Sequence, residues 1–183
     1  MMVSPFQSLS KSSEKKLIIV LFVLVVVMII IMRFFDAPLK NETSPQGIVS
    51  FELAEDVNKS AAILESWDSV ARSSAHWSMT FDFLFLIVYG LFIGLLIHKL
   101  NRVWDETSFH LFGIALIYLV FFASFFDVIE NVSLILLLRG NLEQVWSSTA
   151  YYFAVSKFII LVIAFLFIIT SVIVLLIKKT KTP

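Results

Sequence analysis

The chain has no cysteine, so it has no disulfide framework, no thiolate metal site and no cysteine nucleophile. Its redox compartment is left open. Charge is scarce, at 15% of the 183 residues against about 25% in a soluble domain. No glycine-rich phosphate loop, His-Glu-x-x-His or Gly-x-Ser-x-Gly occurs. No internal repeat suggests an inverted-repeat transporter. The low charge and a mean hydropathy of +0.93 exclude a disordered chain, a basic nucleic-acid-binding domain and an ordinary soluble enzyme. No cofactor and no nucleic-acid partner are expected.

What is abundant is apolar surface, at 59% of the residues. A bilayer core of about 30 Å needs roughly 20 apolar residues in a helix. Four runs qualify: 17–35, 77–97, 109–138 and 150–177. Backbone groups in lipid must be satisfied within the segment, so each run is expected to be helical despite its Val, Ile and Phe content. The first run follows Lys11, Lys15 and Lys16, as the core of a signal peptide would. No small-residue cleavage site follows it, and it is read as a retained anchor. The predicted fold is all-α: a polytopic membrane protein with a four-transmembrane-helix bundle, forming one domain over 1–183.

Net charge is zero, but the charges are segregated. Lys11, Lys15 and Lys16, then Lys99 and Arg102 of a short loop (98–108), then Lys178, Lys179 and Lys181 of the tail (178–183) all fall on one side. The positive-inside rule predicts that both termini are cytoplasmic, in a multi-pass protein of the plasma or inner membrane. The opposite loop, 36–76, is net acidic. Trp77, Trp146, Tyr151 and Tyr152 fall where spans meet that face.

That loop opens with turn formers, Pro38, Asn41, Ser44, Pro45 and Gly47. Leu53, Val57, Ala61, Leu64, Trp67 and Ala71 then follow at helical spacing. This predicts an amphipathic extracytoplasmic helix over about Val49–Arg72, between helices 1 and 2. Span three is about 45 Å long at 1.5 Å per residue, more than the hydrocarbon needs. Val132–Leu138 would then rise to or above the outer interface, and the loop helix would cover it. The alternative is a helix lying flat among the headgroups.

Ionisable groups within spans are functional candidates. Arg33, Asp82, Asp127, Glu130 and Lys157 all fall at similar depth near the outer edge, together with Asn131. Asp82 and Tyr89 are spaced to share one helix face, and Asp127 shares a stripe with Ser124, Glu130 and Asn131. Three readings are open. The first is a buried ionic cluster that holds helix register, with Lys157 and Arg33 paired to the carboxylates. The second is interfacial side chains snorkelling to water. The third is a polar pocket for a ligand, a lipid headgroup or an ion. Asp82, Asp127 and Glu130, with His76 nearby, could form an oxygen-rich cation site, against which the charge of Lys157 argues. Crowded carboxylates could also serve as acid and base.

Gly90 and Gly94 make a small-xxx-small pair, read as packing within the bundle. His98 and His110, at the inner loop, are read as bystanders. Asn41, Asn58 and Asn131 open glycosylation sequons. The expected function is a small membrane protein that binds or interacts without catalysis, through an outward polar cluster under a helical cap. A membrane-embedded enzyme, or a binder of lipid headgroups or ions built on Asp82, Asp127, Glu130 and Lys157, is the alternative. An ion or proton pathway in an oligomer comes third. The bilayer, a small polar ligand, a membrane-protein partner and a second copy are the expected contacts.

Overall fold

The Ser10 hydroxyl accepts the Ser13 N–H and starts the first helix. In the computed structural model, which describes residues 3–104 and 108–181, that helix is α1 (Lys11–Asp36). Two short helices follow, α2 (Ile48–Glu52) and α3 (Val57–Ser66). Three long ones complete the chain: α4 (Ser69–Asn101), α5 (Ser108–Leu138) and α6 (Gln144–Lys181). No strand occurs among the described residues. Four helices, α1, α4, α5 and α6, are long and apolar enough to cross a membrane. Part of the expected inner loop, 105–107, and the end of the basic tail, 182–183, lie outside the described residues.

The helices pack in chain order: α1 on α4, α4 on α5, α5 on α6. α4 also touches α6, whereas α1 and α6 make no substantial contact. Gly90 and Gly94 face inward. A Cβ at Gly90 would strike the Ser124 hydroxyl of α5, and one at Gly94 would come within 3.3 Å of Phe6. Close approach of α4 to its neighbours therefore uses the small-residue pair. The core of the bundle includes Leu95, Ile97, Leu116, Ile117, Val120 and Ala164, all fully buried. Most of α1 and α6 presents apolar side chains outward.

The single amphipathic helix expected over Val49–Arg72 is replaced by three pieces. It breaks first at Leu53–Asp56. Glu55 takes a left-handed conformation (φ 61°), and the Asp56 carboxylate accepts the Asn58 and Lys59 N–H groups to start α3. It breaks again at Trp67–Asp68, where Asp68 accepts the Ala71 N–H and starts α4. Local side-chain acceptors outcompeted a continuous helical ladder at both points. Nothing interrupts the chain between Ser69 and Trp77, so the second long helix begins eight residues before the expected span start.

A second core lies beneath α2 and α3. Phe51, Ile63, Leu64 and Trp67 bury against Leu134 and Leu137 of α5 and Ala150 of α6. The Trp67 indole N–H donates to Leu39 O and Ser44 Oγ, each at 3.0 Å, and Phe51 packs edge-on against its ring. α5 stops in a glycine-terminated motif. Gly140 (φ 92°) donates to Leu137 O, and Asn141 donates to Leu136 O. The end of the bundle carrying α2 and α3 is called the capped end below. The first and last described residues lie toward the other end, where Tyr118 Oη donates to Val3 O and Lys178 Nζ to Val103 O.

Candidate functional site

The charged residues of the long helices meet just beneath the cap. Lys157 on α6 is 6% exposed. Its Nζ lies 2.7 Å from Asp127 Oδ1 and 2.7 Å from Glu130 Oε2, both on α5. The contact to Asp127 has hydrogen-bond geometry; the one to Glu130 is an ion pair without that alignment. Asp127 accepts a second hydrogen bond from Tyr89 Oη of α4, at 2.8 Å. Asn131 donates its amide to Asp82 Oδ2 and so joins α5 to α4. Asp127, Glu130 and Asn131 are buried, and Asp82 is half-buried. Just over one turn of α5 thus presents three polar groups on a single face, as the spacing 127, 130, 131 dictates.

Arg33 stands apart. It is exposed near the end of α1, and no ion pair joins it to the cluster among the described residues. His76 is also exposed and rests against the Trp77 ring. The cation site that included His76 is therefore not assembled. Among the described residues, no group of three or more His, Asp or Glu side chains is placed to hold a metal.

Sequence reasoning missed the fourth carboxyl of this cluster. Glu52, the last residue of α2, lies within hydrogen-bonding reach of Glu130 and lines the same cavity as Asp82, Asp127 and Lys157. Burial pushes its carboxyl above the ordinary range; Lys157 opposes that shift and Asp127 adds to it. A continuous helix would have placed Glu52 on the solvent face. The break after Leu53 turns it inward. The positions of Phe51 and Leu53 beside it gave no warning, because the break depends on Asp56 four residues later.

The cavity has a volume of about 500 Å³. Its walls come from α1 (Val25, Ile29, Met32), α4 (Phe85, Phe92, Ile93, Leu96) and α6 (Phe158, Leu161, Phe165). Its polar end holds Glu52, Asp82, Tyr89, Asp127 and Lys157. It fills the space left because α1 and α6 do not pack together. From Asp82 to Leu96 the wall of α4 runs about 21 Å at 1.5 Å per residue.

A second ionic group sits at the opposite end. Glu14 of α1 is 2% exposed, pairs with Arg102, and lies 3.9 Å from His98 Nε2. His98 also faces the Phe6 ring at 5.9 Å. His98 is thus part of the packing between α1, α4 and the N-terminal segment. Of the three sequons, Asn58 is exposed, whereas Asn131 is buried in the cluster. No family model, curated protein or solved structure matches this chain.

Proposed function

We propose that this chain is a multi-pass membrane protein that binds a single-chain amphiphile between α1, α4 and α6, without transforming it. The observation that carries this reading is the two-part lining of the cavity. Eleven apolar side chains, Val49 of α2 among them, lead to one polar end. Ligand sites are commonly mostly apolar, with a few convergent polar groups that fix orientation, and this volume falls within their usual range of about 300–1,000 Å³. A water-soluble metabolite would leave the long apolar wall unmatched. A wholly apolar molecule would leave the carboxylates facing hydrocarbon, which is costly.

The four apolar helices and the basic residues at the terminal end support an orientation with both termini cytoplasmic and the cap outside. On that orientation the polar end lies near the outer leaflet, and the apolar wall runs toward the bilayer centre.

Leu161→Trp tests the reading, because an indole at that position fills the cavity from α6. Native mass spectrometry of the protein purified in mild detergent should show a bound amphiphile on the wild type and none on the variant. The variant's melting temperature should stay within a few degrees. An empty wild-type protein, with no thermal stabilisation by any added amphiphile, would refute the proposal.

A further inference from the structure

The cluster holds four carboxyl groups, on Glu52, Asp82, Asp127 and Glu130, against the single ammonium of Lys157. Its donors are already engaged with carboxylates: Lys157 and Tyr89 with Asp127, Asn131 with Asp82. Glu130 is fully buried; its Oε2 is paired with Lys157 Nζ at 2.7 Å, and its Oε1 has no hydrogen-bond partner. The Glu52 carboxyl faces Glu130 within hydrogen-bonding reach. Two acceptors facing each other need a proton or a cation between or beside them; in the ligand-free protein the proton held on Glu52 meets that need, and a cationic head would displace it.

From this shortage of donors we infer that the bound amphiphile carries a primary ammonium head, received by Glu52 and Asp82 at the polar end of the cavity. The inference rests on the binding reading above and adds the chemistry of the head. An anionic phosphate or carboxylate head would meet surplus carboxylates and find only one cation, itself shared between Asp127 and Glu130. A hydroxyl head supplies one donor but no charge. A primary ammonium supplies three N–H donors and the missing positive charge. Lys157 keeps its present partners, because Glu52 and Asp82 are the two carboxyls lining the cavity that it does not bridge.

The test compares dodecylamine, dodecanol and dodecyl phosphate, each titrated at low mole fraction into zwitterionic nanodiscs holding the full chain. Binding is read from the shift in melting temperature and from competition with a spin-labelled alkyl probe. The amine should bind about tenfold or more tightly than the alcohol, and the phosphate most weakly. Asp82→Asn and Glu52→Gln should each bring the amine toward the alcohol while leaving the alcohol's own binding in place. Glu52 lies on the cap, so its variant keeps the test informative if Asp82→Asn folds poorly. Equal binding of the three probes, or preference for the phosphate, would overturn the ammonium head and leave the apolar groove standing. Failure of all three to bind would overturn the groove itself.

Discussion

Lys157 occupies the costliest position in the chain. A lysine 6% exposed, bridging two carboxylates at 2.7 Å each, keeps its charge by neutralising theirs. Lys157→Met would leave Asp127 and Glu130 buried without a counter-charge, and such losses cost about 3–5 kcal/mol. We expect a large fall in melting temperature in detergent. Adding Asp127→Asn and Glu130→Gln to the same chain should recover part of it. An unchanged melting temperature in the single variant would show that the pair contributes nothing. At this scale the sequence was informative where a charge fell well inside an apolar run, and misleading at Arg33, which falls near the end of one. Asp82, Asp127, Glu130 and Lys157 stood out because hydrocarbon surrounds them in the sequence. Glu14 did not, because it sits among other polar residues and is buried only by tertiary contact; Glu52 did not, because its spacing put it on the polar face of an expected surface helix.

The elements show where that legibility ended. The span over 109–138 matches α5 within one residue at its start, because an apolar run and a Gly-Asn stop bound it. The cap was misread because six apolar residues at helical spacing also fit two shorter helices joined by turns. Periodicity reports which side chains are buried, not whether the backbone between them is continuous. α2 is only five residues long and has no stability of its own; it is held by Phe51 against Trp67 and by Asp36, which accepts the Ile48 N–H at 2.8 Å. Its docking also half-buries Glu52, whose carboxyl is held above the ordinary value of about 4.3. The folded chain then keeps a proton that the unfolded chain releases, so this contribution is present at low pH and lost as pH rises through the raised value. In the ligand-free protein, thermal stability should decline with rising pH above about 4.3, and Glu52→Gln should make the decline shallower. Identical slopes for the two proteins would show that Glu52 is not buried by the cap.

For the whole molecule, the absence of cysteine becomes an experimental advantage. Single cysteines placed at exposed Glu42 or Ala62 on the capped end, or at exposed Lys178 on the terminal end, have no background. A membrane-impermeant maleimide added to intact cells should label the first two and spare the third until the membrane is opened. The reverse pattern would invert the proposed orientation. The bundle is also an open chain of helices rather than a closed ring, since α1 and α6 leave the cavity between them. On the proposed membrane reading, a molecule taken up there would enter from the side, out of the surrounding lipid, and not from water. The quantity that sets occupancy is then its mole fraction among the lipids. Diluting the membranes in buffer should leave the bound fraction unchanged, whereas diluting the ligand with more lipid should empty the site.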